Sequence, residues 1–189
     1  DARFSFIEHS PGRLIVFCKA PETGRVKTRL IPAVGSTAAR NIHEQLATRT
    51  IEMALESALA PITIFIAGDI EHAFFDAFAI ERQAQRGRDL GERMGTALAD
   101  VLATPSVDRA ILIGTDCPEI GGSYLEQAFE ALSDHDAVLG PAEDGGYGLI
   151  GLRRSDSHLF EHIAWGTSSV GSETCRRFNT RSLHWRLLP

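Results

Sequence analysis

Three cations, Arg25, Lys27 and Arg29, fall within five positions of one another in the stretch KAPETGRVKTRL. The stretch follows an almost continuous apolar run, and Lys19 stands where that run ends. A proline and two small residues make it a loop rather than a helix. Lysine and arginine form strong, charge-assisted hydrogen bonds with phosphate, so residues 20–30, the cationic loop, are a candidate phosphate site. The alternative is a solvated cluster of charge that binds nothing.

Acidic side chains follow two later apolar runs. Asp116 comes directly after RAILIG, and Glu143 and Asp144 precede two glycines in PAEDGGYGLIGL. A carboxylate at the end of a strand could hold Mg²⁺, which binds one or two protein carboxylates and leaves its other positions to phosphates and water. Asp116 could instead cap the next turn. Asp144 could orient an acceptor or act as a base, although Asp-Gly is also a strong signal for a hairpin turn.

Neighbouring residues of other types could help to form a site. Gly145 and Gly146 have no side chain, so their backbone can approach a bound molecule closely or turn with positive φ. Tyr147 could stack on a ring or serve as an ordinary strand aromatic. Asp89 and Glu92, in DLGERM, have the spacing of a helix capping box, which predicts that a helix begins there.

Strand patterns alternate with helical patterns along the chain, which predicts βαβ crossovers and an α/β fold. We expect a single domain, residues 1–189, built as a three-layer αβα sandwich with a mostly parallel sheet. Ligands bind at the carboxyl ends of the strands in open sheets of this kind, so the candidate loops should meet at one edge. The predicted strands are 14–19, 62–67, 81–85, 109–114, 137–140, 146–152 and 183–188, and the predicted helices are 36–60, 71–78, 89–101 and 123–132.

Two of these helices are expected to bury one apolar face each. Ser36 is placed as the N-cap of the first, and Pro61 follows its end. The predicted inner faces are Ile42, Leu46 and Met53 in the first helix, and Leu90, Met94, Leu98 and Val101 in the helix that Asp89 opens.

Composition excludes several classes of partner. The net charge is −6, from 19 basic and 25 acidic residues, so nucleic acid and membrane surfaces, which attract basic proteins, are not expected. Three isolated cysteines without a CxxC pair argue against a disulfide framework and a structural zinc site, and they favour a reducing, cytoplasmic setting. The residues point instead to a small-molecule phosphate ligand that is bound locally.

The motifs KAPETGRVKTRL, QRGRDLGERM, LIGTDCPEI, GPAEDGGYGLIGL and WGTSSV, in this order, resemble those of the DUF2064 family. This bacterial and archaeal group belongs to the nucleotide-diphospho-sugar transferase superfamily, which has the GT-A glycosyltransferase fold. The resemblance runs from about Leu14 to about Thr174. The combined motifs are specific for the family and much less specific for a reaction.

The resemblance implies a role for each charged residue of the first and central strand loops. Lys27 and Arg29 would bind the phosphates of a nucleotide, with Lys19 and Arg25 in support. Asp116 would bind Mg²⁺ or Mn²⁺ and would take part in catalysis.

The resemblance also implies roles for the remaining candidates. Glu92, in the DLGERM motif, would lie near the nucleotide. Asp144 would contact an acceptor of unknown identity or serve as the base. Gly145, Gly146 and Tyr147 would line the same pocket on the side of the second substrate.

The implied activity is that of a metal-dependent transferase, by default a glycosyltransferase acting on a nucleotide-diphospho-sugar. Asp116-Cys117-Pro118 replaces the D-x-D of many GT-A glycosyltransferases and is closer to the D-x-P of nucleotidyltransferases. VKTRL is also similar to the phosphate loop of 2-phospholactate guanylyltransferase. Nucleotidyl transfer, with pyrophosphate released from a nucleoside triphosphate, is therefore the alternative. A nucleotide-binding module without turnover and a purely structural domain are the non-catalytic alternatives.

Relatives usually continue into a segment that resembles DVDTPEDL, whereas this chain ends in LHWRLLP. We therefore expect a C-terminal tail typical of the family to be missing.

Overall fold

A seven-stranded sheet forms the centre of the computed structural model, which describes residues 11–189. The strand order is β3-β2-β1-β4-β6-β5-β7, and β6 alone runs antiparallel to its neighbours. The prediction of a mostly parallel sheet is confirmed. The strands are β1 (Gly12–Lys19), β2 (Ile62–Ala67), β3 (Glu81–Ala84), β4 (Arg109–Gly114), β5 (Ala137–Pro141), β6 (Tyr147–Leu152) and β7 (Trp185–Leu187).

Helices cover both faces of the sheet. The helices are α1 (Ile31–Val34), α2 (Ser36–Ser57), α3 (Leu90–Leu102), α4 (Gly122–Ala131) and α5 (Val170–Thr180), with short 3₁₀ turns at Thr28–Leu30, Ala73–Ala77 and Ser157–Leu159. Buried residues of α2 and α4 pack with one face of the sheet, and those of α3 and α5 pack with the other. This arrangement confirms the three-layer αβα sandwich.

The sequence of β1 is apolar almost without interruption because both faces of the strand are buried. Leu14, Val16 and Cys18 join the core on the α2 side, whereas Ile15 and Phe17 join the core on the α3 side. A strand that is covered on both faces has no solvent side on which polar residues would alternate.

The buried face of α2 differs from the predicted one. Ile42 and Leu46 are only partly buried, and Met53 packs at the edge of the core. Three alanines, together with His43, Thr50 and Ile51, form the inner face instead. The helix begins at Ser36 with Gly35 as its N-cap, so the predicted cap was one residue late. The buried positions of α2 are Ala39, His43, Ala47, Thr50, Ile51 and Ala54.

Other predicted elements need smaller corrections. In α3, Met94 and Leu98 are buried as predicted, but Leu90, in the first turn, is 45% exposed. The predicted helix at 71–78 is a 3₁₀ turn over Ala73–Ala77, and the last strand spans Trp185–Leu187 only. Among residues 11–189, no helix has the length and apolar character needed to cross a membrane.

Candidate active site

The candidate loops share the carboxyl edge of the sheet. Strands β1, β4 and β5 run in the same direction, so the loops that follow them, residues 20–30, 115–121 and 142–146, lie at one edge. The pairing of β1 with β4 ends at Phe17 and Gly114. Beyond this residue pair, β1 and β4 are no longer paired, and we call the space between the cationic loop and the Asp116 loop the cleft.

The cationic loop is built from tight backbone turns. The Arg25 amide donates to the Glu22 carbonyl at 3.0 Å, and the Leu30 amide donates to the Lys27 carbonyl at 2.8 Å. Val26 is buried and anchors the loop. Lys27 has a φ of 47°, an uncommon left-handed conformation for a residue with a side chain. The buried neighbour and the turns therefore fix the direction in which Lys27 leaves the loop.

Lys27 and Asp116 meet across the cleft. Lys27 Nζ lies 3.0 Å from Asp116 Oδ1, and the two side chains are 21% and 65% exposed. The pair joins the residue predicted to bind phosphate to the residue predicted to bind metal. A pair this exposed contributes little stability, since solvent screens it. A ligand that carries both a phosphate and a cation could pair its phosphate with Lys27 and its cation with Asp116.

The other cations of the loop are more open to solvent. Arg25 is 72% exposed on its side chain and pairs with Glu22 at 3.1 Å. Lys19 and Arg29 are exposed, and neither forms an ion pair within the described part of the chain. Arg29 and Lys19 are thus available to a ligand without the loss of an existing pair.

The Glu143–Asp144 stretch forms a hairpin turn between β5 and β6, as one interpretation of the sequence predicted. Asp144 Oδ1 accepts a hydrogen bond from the Gly146 amide at 2.9 Å. Gly145 has a φ of 85°, and a Cβ added there would lie 2.2 Å from the Ser168 carbonyl oxygen. The turn therefore requires glycine at position 145. The side chains of Glu143 and Asp144 remain exposed at the carboxyl edge.

Charged residues from all three loops influence the pKa of the half-buried Cys117 thiol. Burial raises its pKa most, and the negative charges of Glu119, Asp116 and Asp144 raise it further, while Lys27 lowers it. Electrostatic influence of this kind falls off with distance. Asp144, Asp116 and Lys27 therefore all lie within electrostatic range of this thiol, although they come from three different loops.

Structural partners account for the side chain of Glu92 without a ligand, and the ring of Tyr147 packs in the core. Asp89 Oδ1 accepts from the Glu92 amide at 2.8 Å, which confirms the predicted helix cap. Glu92 in turn accepts from the Arg88 amide at 2.9 Å and from Arg88 Nε at 2.8 Å. Tyr147 packs against the core on the α3 side, and burial raises the pKa of its hydroxyl. It is a strand aromatic in this structure.

Helix α2 contributes two side chains that the sequence patterns did not indicate. His43 Nε2 lies 2.7 Å from the Lys19 carbonyl oxygen, and Arg40 Nη1 lies 3.4 Å from Thr23 Oγ1 in the cationic loop. Ala39, His43, Ala47 and Ile51 recur at every fourth position, and this spacing was the available signal. It was missed because larger apolar residues were assumed to mark the buried face.

A divalent metal fits this cleft as the companion of bound phosphates. Asp116 supplies one exposed carboxylate, and among residues 11–189 no group of three or more His, Cys, Asp or Glu side chains could hold a metal. Mg²⁺ and Mn²⁺ are often bound by one or two carboxylates together with substrate phosphates, and Asp116 suits that role.

Two surface cavities lie away from the cleft. One, of about 720 Å³, runs along the outer face of α2, and the other, of about 620 Å³, lies between α3 and residues 154–157. Neither is lined by Lys27 or Asp116. The candidate site is therefore chosen for its converging charges rather than for an enclosed volume.

Comparison with known proteins places the chain in a family. Residues 50–167 match the model of an uncharacterized protein family conserved in bacteria, DUF2064. A crystal structure from Desulfovibrio desulfuricans G20, provisionally named a nucleotide-diphospho-sugar transferase, is 33% identical. The alignment covers 95% of this chain and 80% of that one, with a TM-score of 0.87.

More distant structures share the fold. CMP:2-keto-3-deoxy-manno-octonic acid synthetase complexed with CTP is 12% identical, with a TM-score of 0.61 over 95% of this chain and 89% of that one. Rv0371c from Mycobacterium tuberculosis H37Rv, in complex with manganese, is 15% identical, with a TM-score of 0.57 over 94% and 86%. No protein with a curated description matches the chain. The match to the family model and the identity to the Desulfovibrio protein together show that the chain belongs to the DUF2064 family.

Proposed function

We propose that the protein is a metal-dependent transferase that uses a nucleotide-activated substrate, with glycosyl transfer from a nucleotide-diphospho-sugar as its reaction. The observation that carries the proposal is the Lys27–Asp116 pair, in which a phosphate-type cation and a metal-type carboxylate lie 3.0 Å apart at the carboxyl edge. The provisional name of the Desulfovibrio relative supports the choice of donor.

The cationic loop would bind the phosphates. Lys27 and Arg29 would donate charge-assisted hydrogen bonds to them, and Lys19 and Arg25 would add positive charge at the mouth of the cleft. Asp116 would hold Mg²⁺ or Mn²⁺ together with the phosphates. When bound, the metal would neutralise the negative charge that develops on the departing phosphate.

Asp144 would act on the second substrate. Its exposed carboxylate lies on the hairpin turn, close enough to Cys117 to influence the same thiol as Asp116. In glycosyl transfer, an acceptor oxygen would attack the anomeric carbon, the bond from that carbon to the phosphate oxygen would break, and the nucleoside diphosphate would leave. Asp144 would orient the acceptor hydroxyl and take its proton.

Nucleotidyl transfer is the second candidate, since the loop at the metal position carries the single carboxylate of Asp116 followed by Cys117 and Pro118. In that reaction an acceptor oxygen would attack the α-phosphorus of a nucleoside triphosphate, and pyrophosphate would leave. The density of cations in the cationic loop suits a triphosphate as well as a diphosphate.

A thermal-shift panel tests the proposal. It would compare UDP-, GDP-, ADP- and dTDP-sugars with free nucleoside triphosphates, each with and without Mg²⁺. A ligand at 100 times its dissociation constant adds about 2.7 kcal/mol, which raises the melting temperature by a few degrees. A Mg²⁺-dependent shift with a nucleotide sugar supports glycosyl transfer, and a shift with triphosphates alone supports nucleotidyl transfer. No shift with any compound would contradict the proposal.

Product analysis separates turnover from binding alone. A glycosyltransferase releases nucleoside diphosphate from the donor when the acceptor is present, and a nucleotidyltransferase releases pyrophosphate. A binding module would show the shift but neither product with any acceptor tested.

A further inference from the structure

The carbonyl of Lys19 lies at the end of β1, beyond the last residue of β1 that pairs with β4. Leu14 and Ala20 donate their amides to β2, at Pro61 and Ala67, so even-numbered residues of β1 bond to β2. Odd-numbered residues therefore face β4. Because pairing with β4 ends at Phe17, Lys19 extends past the last paired residue on that side.

The Cys18 thiol contacts the Lys19 carbonyl oxygen at 3.4 Å, and the closer partner of this oxygen is His43. Its Nε2 lies 2.7 Å from the Lys19 carbonyl oxygen, and the residue is 5% exposed. A carbonyl oxygen can only accept, so Nε2 carries the hydrogen of this bond. The imidazole thus closes the end of β1 at the point where the cationic loop begins.

The position of His43 is unusual for a residue that serves only the core. The rest of the inner face of α2 is formed mainly by small and apolar residues such as Ala39, Ala47 and Ile51. Burying a polar ring costs free energy unless it forms a hydrogen bond, and an aliphatic residue would pack there without that cost. The hydrogen bond to the end of β1 offsets this cost at His43.

A second contact from the same helix face supports this view. Arg40, three residues before His43, reaches Thr23 Oγ1 at 3.4 Å. Residues three apart lie on one side of a helix. Helix α2 therefore contacts Lys19, directly before the cationic loop, and Thr23 within the loop, before the turn that displays Lys27.

We propose that His43 is a positioning residue of the phosphate site. Its hydrogen bond to Lys19 fixes where the cationic loop leaves the sheet, and this sets the positions of Lys27 and Arg29 relative to Asp116. The inference rests on the proposed function, because it assumes that the cationic loop binds phosphate.

The test compares His43→Gln with His43→Asn. Glutamine places an amide nitrogen near the position of Nε2 and can donate to Lys19, whereas asparagine is one methylene shorter and cannot reach. His43→Leu removes the donor at similar volume, and Ile51→Val is a matched control for lost packing on the same helix face. The probe is inorganic tripolyphosphate with Mg²⁺, which needs no knowledge of the base or sugar, and its dissociation constant is measured by calorimetry.

We expect His43→Gln and Ile51→Val to bind tripolyphosphate like the wild type, and His43→Asn and His43→Leu to bind it about tenfold or more weakly, as is typical when a supporting hydrogen bond is lost. Equal binding by all folded variants would overturn the inference while the proposed function stands. Loss of the fold in both His43→Asn and His43→Leu would assign His43 to the core and would also overturn it. Absence of binding by the wild type would contradict the proposed function itself.

Discussion

Two ion pairs at the carboxyl edge of the sheet use the same kinds of side chain in different ways. Arg88 and Glu92 are four residues apart at the start of α3, and they share several hydrogen bonds, one of which involves the Arg88 amide. Lys27 and Asp116 come from loops that follow different strands, and they share a single contact of 3.0 Å.

The difference indicates which pair a ligand can use. The Arg88–Glu92 pair completes a helix end, where the acid also accepts a backbone hydrogen bond, so a ligand would have to compete with the fold. Within residues 11–189, neither side chain of the Lys27–Asp116 pair forms a further hydrogen bond or ion pair. A phosphate could take the place of Asp116 beside Lys27, and a cation that the phosphate carries could take the place of Lys27 beside Asp116.

The largest effect is expected from replacing Asp144, which lies at the same edge of the sheet as the Lys27–Asp116 pair. Asp144→Asn should lower turnover about 100-fold or more, since a general base is lost, with little change in nucleotide affinity. Asparagine keeps an oxygen for the hydrogen bond from Gly146, so the hairpin should stay intact. Steady-state kinetics checks this, with Glu92→Gln as the control acid. Equal turnover for Asp144→Asn and the wild type would remove Asp144 from catalysis.

The next largest effect is on nucleotide affinity, and it should distinguish Lys27 from Arg88, the cations of the two ion pairs. Lys27→Ala and Arg29→Ala should each weaken nucleotide binding by about 1.5 to 3 kcal/mol, the loss of a hydrogen bond to a charged group. Arg88→Ala should leave the affinity unchanged. Calorimetric titration of the nucleotide that stabilises the wild type measures all three. A loss for Arg88→Ala as large as that for Lys27→Ala would erase the distinction between the pairs.

A smaller effect concerns the metal alone. Lys27→Met removes the cation that competes for Asp116, so Mn²⁺ should bind about two- to fivefold more tightly in the absence of nucleotide, as suits an exposed ion pair. Titration of Mn²⁺ followed by electron paramagnetic resonance measures this. A lower Mn²⁺ affinity in the variant would show that Lys27 does not compete for the carboxylate.

The smallest effect concerns the stability that the Arg88–Glu92 pair contributes. Hydrogen bonds from Arg88 lower the pKa of Glu92 from 4.5 to about 2. The folded-state pKa is the lower one, so the stabilisation is present above pH 4.5 and is lost as the pH falls through about 2. Glu92→Gln should therefore lower the urea midpoint slightly at pH 7, and the difference should narrow as the pH falls below about 4.5. A difference that is constant with pH would contradict this assignment.

Sequence patterns predicted the strands well because each apolar run is buried on two faces. The runs at β1, β2 and β4 were found within two residues of their ends. The buried face of α2 was predicted wrongly, because a face that combines alanines with His43 and Ile51 is buried in place of the face that carries Ile42 and Leu46. Hydrophobicity alone does not distinguish these two faces when the helix packs closely.

The candidate site could be predicted only as separate parts. Lys27, Asp116 and Asp144 were each singled out by their position after a strand, since parallel strands bring such residues to one edge. Their convergence around Cys117 depends on the insertion of the antiparallel β6 between β4 and β5, which no local pattern reveals. The contact of His43 with Lys19 likewise depends on how α2 packs across the sheet.

The most direct test of the account is the Mg²⁺ dependence of nucleotide binding in the wild type and in Asp116→Asn. The account predicts that Mg²⁺ tightens binding by roughly tenfold or more in the wild type and has almost no effect in the variant, since Asp116 would hold the metal that the phosphates carry. The same dependence on Mg²⁺ in both proteins would contradict the assignment of the metal to Asp116 and, with it, the role of the Lys27–Asp116 pair.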